Sequence, residues 1–232
     1  MQISNNRSAR TLNYKYVWLT VCVLSTFLGA GCDGPTVVGS GVSRSEDREI
    51  GKFQSVSIYG VGSIKIKVGP ATPLTITADD NMLKHVRSEI KGGVLHVGVR
   101  RGNYTWHGFP EFELSVPELN SLQLAGQTQA SVTGLEQKEF RVTTSGQNRV
   151  TLSGAVSKLV LNLEGQSSCD AINLSAKSVI VRSIEENVQC AYFLNASESI
   201  SGNIAGTSSI EHTGMPTLDV KTTAKTSIKH RE

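Results

Sequence analysis

A repeat of about twenty residues dominates the second half of this 232-residue sequence and constrains its fold more than any other feature. Turn positions, four of them glycine, recur at nearly even intervals, at Gly126, Gly146, Gly165, Glu186, Gly206 and Ala224. Four residues after each turn stands an apolar or thiol-bearing residue: Ala130, Val150, Cys169, Cys190, Ile210 and Ile228. Stacked units place such residues in columns about 4.8 Å apart and bury them together. The repeat therefore predicts a parallel β-helix-like solenoid with regular rungs from about residue 119.

A β-sandwich of short hairpins is the alternative architecture, but it would need tight two-residue turns and would keep no persistent column. Upstream of the repeat, short segments between Phe53 and Val116 alternate apolar and polar residues with the period of two that is typical of strands. Residues 80–90 predict one short helix, and residues 100–110 break the pattern and predict a protruding loop. These patterns together predict one all-β folded domain over residues 46–232.

Residues 1–31 predict a signal peptide of the lipoprotein type. Residues 1–16 carry three positive charges and no acids, and a short apolar run follows from Val17 to Leu28. The segment 28–32 resembles a bacterial lipobox, with Leu28 one place earlier than usual, and Cys32 is the predicted site of acylation. A transmembrane anchor and ordinary signal-peptidase cleavage near Ala30 are the alternatives, although a spanning helix needs about twenty apolar residues.

This signal predicts an exported protein, anchored by its N-terminal lipid (palmitate or a similar chain) to a bacterial envelope membrane and facing the periplasm or the cell surface. Residues 32–45, rich in Gly and Ser, predict a flexible tether. After residue 32 the chain holds 20 basic and 20 acidic residues, so it lacks the basic surface that a nucleic-acid partner requires. No sequence pattern predicts a cofactor or a metal site.

Two cysteines, Cys169 and Cys190, fall in the same predicted column, one rung apart. Equivalent Cα atoms in neighbouring rungs lie within the range of a disulfide, so the pair is a candidate bridge in an oxidising compartment. Alternatively, both are small apolar residues that fill the column. Metal binding by the pair is disfavoured, because no third or fourth ligand has a suitable spacing.

The loop at 100–110 is the candidate ligand site. It contains a cluster of ring-bearing residues: Tyr104, Trp106, His107 and Phe109. Rings flanked by Arg100 and Arg101 can stack on sugars or insert into a partner, and a loop that folds its rings back over one end of the sheet is the alternative. The outward Thr, Ser, Asn and Gln residues of the repeats can form a ladder of hydrogen bonds to a polysaccharide. Alternatively, they are the ordinary polar residues of a solvent-exposed surface.

Other chemistry-bearing residues do not predict an active site. His212 and His230 share a column near the C-terminus, but with no carboxylate partner they predict packing or exposure at the end of the stack. Carboxylates near neighbouring turns resemble the stacked acids of β-helix polysaccharide lyases: Glu164, Asp170, Glu185 and Glu186. No residue near them suggests a catalytic base or a group that would hold a substrate. The better interpretation is that these carboxylates are solvent-exposed residues at the edges of the turns. Asp79 and Asp80 predict a cap for the short helix rather than a calcium site.

The start of the folded part resembles the head GIN domain family of bacterial exported proteins. The resemblance rests on Gly39-Ser40-Gly41, Arg48, Phe53, Val56 and Gly60-Val61-Gly62. It extends from residue 39 to about residue 230, although the later turns read Gly126-Gln127, Gly146-Gln147 and Gly165-Gln166 and lack the family's second glycine. The resemblance implies a parallel β-helix-like fold, surface localisation and an adhesion-like role, and it supplies no catalytic residue.

These observations predict a non-enzymatic, envelope-anchored binding or adhesion module with no cofactor, whose partner besides the membrane is a surface polysaccharide or a protein. A structural or signalling accessory of the envelope, pairing through the ends of the stack, is the alternative. A carbohydrate-active enzyme of the β-helix type is less favoured.

Overall fold

Short alternating segments form strands along almost all of the folded part of the chain. The computed structural model describes residues 36–185, 187–222 and 225–231. The strands are β1 Val37–Val38, β2 Ser43–Arg48, β3 Ser55–Val68, β4 Leu74–Asp79, β5 Val86–Lys91, β6 Val94–Val99, β7 Tyr104–Thr105, β8 Glu111–Val116, β9 Ser121–Leu163, β10 Ser168–Ser183, β11 Ala191–Ile204, β12 Ser208–Thr213, β13 Thr217–Thr222 and β14 Thr226–His230. The prediction of an all-β fold is confirmed. No helix in the described part of the chain is long and apolar enough to cross a membrane.

Strands β9, β10, β11, β12 and β14 lie side by side in parallel, each displaced by one rung from the strand before it. Successive partners along one core-facing column are Val150, Cys169, Tyr192, Ile210 and Ile228. The step from Cys169 to Tyr192 is the longest of these along the sequence, and the other three steps are nearly equal. Parallel pairing with an offset of one rung is what a stack requires, whereas the hairpins of a sandwich would pair antiparallel.

One rung departs from the predicted register. The sequence predicts Cys190 in the core column, but the structure places Tyr192 there, opposite Cys169. The turn after β10 is longer than the repeat suggests: the N–H of Gln189 donates to the carbonyl oxygen of Gly165 at 2.8 Å, so Val188 takes the turn position expected for Glu186. Glu186 and Ala224, two of the six predicted turn positions, lie outside the described residues.

Shorter strands of mixed direction cover one end of the stack. The strand order is β14-β12-β11-β10-β9-β3-β8-β4-β2, and β4 runs antiparallel to both β2 and β8. Strands β5 and β6 form an antiparallel hairpin around Gly92 and Gly93, which both have positive φ. We call β2, β4, β5, β6 and β8 the cap. Its direction changes distinguish it from the rungs.

The helix predicted for residues 80–90 is wrong. Only Leu83–His85 form a 3₁₀ turn, and β5 begins directly afterwards. Val86, Ser88 and Ile90 also alternate as a strand does, and pairing with β6 lets Val86 be buried and Ile90 pack against the core. This long-range pairing overrides a weak local preference for helix.

The folded unit starts at Thr36. Strand β1 and the first residues of β2 therefore occupy part of the segment 32–45 that the sequence predicts as a tether. Strand β1 pairs in parallel with β7, which lies in the loop at 100–110. Asn81 fastens this segment to the end of β4, since its side-chain amide donates to the carbonyl oxygen of Val38 at 2.8 Å. The signal segment, with the predicted lipid site Cys32, lies outside the described residues.

Candidate functional site

The turn glycines bring neighbouring rungs very close together. A Cβ on Gly146 would stand 2.4 Å from the carbonyl oxygen of Gly126, and a Cβ on Gly165 would stand 2.4 Å from that of Gly146. Both glycines also have positive φ, which side-chain-bearing residues rarely adopt. The sequence therefore keeps glycine here because the backbones of successive rungs touch. The residues that follow each glycine are consequently held in register from rung to rung.

After each turn position the chain alternates outward, inward and outward, as a strand does. The first outward row consists of four exposed glutamines from four successive rungs: Gln127, Gln147, Gln166 and Gln189. The second outward row consists of Gln129, Arg149, Ser168 and Ala191. These two rows form the floor of an open groove of about 760 Å³, which we call the glutamine groove. Because parallel strands lie about 4.8 Å apart, the groove repeats the same amide once per rung.

A buried polar row lies beneath the glutamines and fixes the turns. The hydroxyl of Thr128 donates to Oδ1 of Asn148 at 2.7 Å, and Nδ2 of Asn148 donates to the carbonyl oxygen of Ser145 at 2.9 Å. One rung on, the hydroxyl of Ser167 donates to the carbonyl oxygen of Glu164 at 2.9 Å. Buried polar groups that are satisfied in this way rigidify their surroundings. The floor of the groove is therefore built on a fixed backbone.

The aromatic loop predicted as a ligand site divides into two parts. Tyr104 lies between His85 and Trp106, with ring centroids 5.3 and 5.7 Å away, and Trp106 packs against the core. These rings cover one end of the sheet, as the alternative interpretation holds. Phe109, in contrast, is 60% exposed and lines the end of the glutamine groove. The structure thus brings one ring of the predicted cluster to the groove.

His107 is held apart from the groove by β4. Its backbone N–H donates to Oδ2 of Asp79 at 3.3 Å, and its Nδ1 lies 3.9 Å from the same oxygen. The adjacent Asp80 accepts hydrogen bonds from the hydroxyl of Ser40 and the N–H of Asn81, which together hold the pKa of Asp80 below its ordinary value. These carboxylates fasten the Gly39–Gly41 segment and the turn before the 3₁₀ residues.

The charge on the groove is low. Arg149 and Glu111 are the only ionisable residues among the described residues that line it. The remaining lining consists mainly of amides, hydroxyls and the Phe109 ring. Such a surface can donate and accept hydrogen bonds along its length. It offers no strong electrostatic attraction to a highly charged polymer.

The two core cysteines are both buried and both free. The stacking on which the predicted bridge rests is wrong, because Cys169 lies opposite Tyr192 while Cys190 falls two residues earlier, in the buried polar row with Ser167 and Ser208. Burial is the main cause that raises the pKa of each thiol. Both cysteines therefore stay protonated and unreactive in the folded protein.

The remaining candidate residues do not assemble an active site. His212 and His230 are register partners whose rings meet edge to face at 5.3 Å, and burial, followed by the charge of His230, lowers the pKa of His212. Glu164 accepts from the N–H of Ile184 at 3.0 Å, and Asp170 accepts from the N–H of Ile172 at 3.2 Å. Glu164 thus links two neighbouring rungs, and Asp170 bonds to the backbone two residues further along its own strand. The described residues contain no group of three or more His, Cys, Asp or Glu that could hold a metal ion.

The glutamine row carried a signal in the sequence that could have been read further. Gln follows the turn glycine in three of the aligned rungs, and only the register of the long fourth rung hides Gln189. The place of Phe109 at the end of this row depends on how the loop folds back. No local pattern distinguishes Phe109 from Trp106.

Solved structures share this fold. A protein from Bacteroides fragilis described as a "putative adhesin" has a TM-score of 0.66 at 20% identity, over 84% of this chain and 100% of the other. A second "putative adhesin", from Parabacteroides distasonis, has a TM-score of 0.58 at 15% identity, over 84% and 100%. A "putative lipid binding protein" from the same species has a TM-score of 0.53 at 13% identity, over 85% and 100%. At these identities the likeness shows the fold alone.

Among curated proteins, no sequence match was found. The family described as "Putative auto-transporter adhesin, head GIN domain" matches residues 52–216, which is more than half of the chain. The family is described as an adhesin rather than as an enzyme, and this implies an exported or surface-associated protein. The resemblance predicted from the sequence is confirmed over residues 52–216, and the chain belongs to the head GIN domain family.

Proposed function

We propose that this protein is a non-enzymatic binding module of the bacterial cell envelope, anchored through a lipid on Cys32, and that its glutamine groove holds an extended, uncharged polysaccharide. The single observation that carries the proposal is the row of four exposed glutamines, repeated in register across four rungs and ending at Phe109. The family description supports an adhesion-like role.

The chemistry of the groove matches a neutral sugar polymer. Each glutamine amide both donates and accepts hydrogen bonds, as sugar hydroxyls do. A spacing of about 4.8 Å between rungs is comparable to the length of one sugar residue, so a chain laid along the stack meets one amide per sugar. The exposed face of Phe109 offers a surface on which a sugar ring can stack.

The arrangement of the acids supports binding without catalysis. Hydrolysis of a glycosidic bond uses two carboxyl groups that face each other across the bond. Glu111 is the only carboxylate among the described residues that line the groove. Glu164 accepts from the N–H of Ile184 in the next rung, and Asp170 accepts from the N–H of Ile172. A polymer in the groove would be held and left intact.

A glycan array probed with residues 36–232 tests the proposed ligand. We expect binding to neutral polysaccharides, and a loss of about tenfold or more for Phe109→Ala and for the double variant Gln147→Ala/Gln166→Ala, since each removes stacking or about two hydrogen bonds. Gln123→Ala is the matched control, because Gln123 is exposed outside the groove. Equal losses in the control, or full binding by both groove variants, would exclude the groove as the binding site.

The anchor is tested separately by fractionation. Cys32→Ser should move the protein from the membrane fraction to the soluble fraction, because without a lipid the apolar run Val17–Leu28 is too short to span a bilayer. A variant that stays in the membrane fraction after a high-salt wash, which releases proteins held by charge alone, would exclude a lipid on Cys32. This result does not depend on what the groove binds.

A further inference from the structure

Positive charge is concentrated at one end of the stack. Residues 217–232 hold four Lys or Arg and two acids, whereas residues 33–216 hold 16 basic and 18 acidic residues. The four cations are Lys221, Lys225, Lys229 and Arg231. They lie on or beside β13 and β14, which form the last described rung. The part of the chain after residue 32, whose charges sum to zero, is therefore polarised along the stack.

The four cations are free to meet a partner. All four are exposed, and none forms an ion pair within the described residues. Glu211 is the register partner of Lys229 in the rung below, yet the two side chains make no salt bridge. No direct ion pair therefore neutralises these cations within the described residues, and the net positive charge of residues 217–232 acts on whatever approaches this end.

Exposed apolar side chains accompany the cations. Met215, in the turn before β13, is 88% exposed, and Leu218 on β13 is 44% exposed. Val220 and Ile228 are only partly buried against the core. Lysines on an outer strand are a common way to prevent strand pairing, and they need no apolar companions for that purpose. Cations beside exposed apolar side chains are instead typical of surfaces that rest on an anionic membrane.

The cationic rung and the start of the folded unit lie towards different ends of the strand order. Strand β14 stands at one end of the strand order and β2 at the other. The segment that leads from the N-terminus is fastened near β4, at the β2 end, where Asn81 binds the carbonyl oxygen of Val38. The cationic rung therefore lies at the opposite end of the strand order from β2, away from the point where residues 36–38 join the folded unit.

We propose that the last rung is a second interaction surface, which binds anionic lipid headgroups through Lys221, Lys225, Lys229 and Arg231 and inserts Met215 and Leu218 at the interface. A second copy of the chain fits this end poorly, because like charges would face each other across a symmetric contact. An acidic polysaccharide matches the charge but leaves the two apolar side chains without a role. The membrane surface uses both features.

Vesicle co-sedimentation of residues 36–232, which carry no lipid and contain all the described core residues, tests this surface. We expect binding to phosphatidylcholine vesicles that contain phosphatidylglycerol and much weaker binding to phosphatidylcholine alone. Each cation near an anionic membrane contributes roughly fivefold to binding, so changing all four to Gln should lower binding by roughly a hundredfold or more. The double variant Met215→Ser/Leu218→Ser should also weaken it.

The matched control changes four exposed cations elsewhere to Gln, namely Lys65, Lys67, Lys138 and Lys177. It lowers the net charge equally and should bind as the unchanged domain does. Equal losses in the two fourfold variants, equal binding to neutral vesicles, or binding to an acidic polysaccharide but to no vesicle would each overturn the proposal. The thermal transition of each variant shows that it is folded. None of these outcomes depends on the glutamine groove, so the two surfaces are tested independently.

Discussion

The rungs and the cap solve the same problem, the burial of short strands, in different ways. In the rungs, each strand lies parallel to an equivalent strand of the next rung, and glycines such as Gly146 allow the backbones to touch. In the cap, β4 turns antiparallel between β2 and β8, and β5 and β6 form a hairpin. A strand in a rung must pair in parallel with equivalent strands on both sides. A strand of the cap has no such constraint, because its neighbours differ from it in direction and in sequence.

This difference explains where function can reside. Repetition gives the rungs identical outward positions in register, so four glutamines form one row without any long loop. In the cap, a charged side chain can instead serve to join strands. Arg48, at the end of β2, donates hydrogen bonds to the carbonyl oxygens of Val86 and Leu83. An extended, repetitive ligand therefore fits the rungs, and the loop beside the cap supplies the single aromatic residue at the end of the row.

The largest expected effect is the disruption of contact between rungs. Gly146→Val would bring a Cβ to 2.4 Å from the carbonyl oxygen of Gly126 at a φ of +98°, so we expect a loss of about 3 kcal/mol or more in the free energy of unfolding. Gly69→Ala, at the end of β3, is the control, because a Cβ there meets no atom within 4 Å. Urea denaturation followed by circular dichroism measures both. A mild effect at Gly146, comparable to that at Gly69, would contradict close contact between the rungs.

An intermediate effect tests the register of the long rung. Cys169→Ser places a hydroxyl in an apolar column between Val150 and Tyr192, and we expect it to cost about 2 kcal/mol in the free energy of unfolding. Cys190→Ser places the hydroxyl in the polar row with Ser167 and Ser208, and we expect it to cost about 0.5 kcal/mol or less. Equal losses of unfolding free energy at the two positions would instead support the register predicted from the repeat, in which both cysteines lie in one column.

The smallest effect concerns pH and the last two rungs. Burial lowers the pKa of His212 from its ordinary value of 6.5, so the folded protein binds fewer protons there than the unfolded chain. The contribution of His212 is therefore intact above pH 6.5 and is lost as the pH falls from there through the lowered pKa of the folded state. His212→Leu, which extends the column of Leu194, should reduce the fall in the denaturation midpoint between about pH 7.5 and about pH 5. An unchanged pH dependence would show that His212 is not the group responsible.

The sequence predicts the rungs better than the cap for the same physical reason. The column that contains Val150, Ile210 and Ile228 repeats because each of its residues packs against the residue in the next rung, so its spacing is visible without coordinates. The sequence does not reveal the extra residues before Val188, because Cys190 suits a core column as well as Tyr192 does. In the cap, residues 80–90 fit two periods, and only the distant partner β6 decides between them.

The candidate site follows the same division. The exposed glutamines after Gly126, Gly146 and Gly165 can be located from the repeat alone. The ring that joins them cannot, because Trp106 and Phe109 differ only in how the loop folds against the core. Site residues that repeat from rung to rung can thus be predicted from the sequence, whereas a site residue that a loop contributes can be located only in the structure.

The central claim is that the glutamine groove binds a neutral polysaccharide along the stack. The most direct test is a titration of ¹⁵N-labelled residues 36–232 with the neutral glycan that gives the strongest array signal, followed through the side-chain amide signals. We expect the signals of Gln127, Gln147, Gln166 and Gln189 to shift together, with affinity rising as the oligosaccharide grows long enough to span four rungs, while Gln123 stays unchanged. Shifts confined to residues outside the groove, or an affinity independent of chain length, would contradict the account.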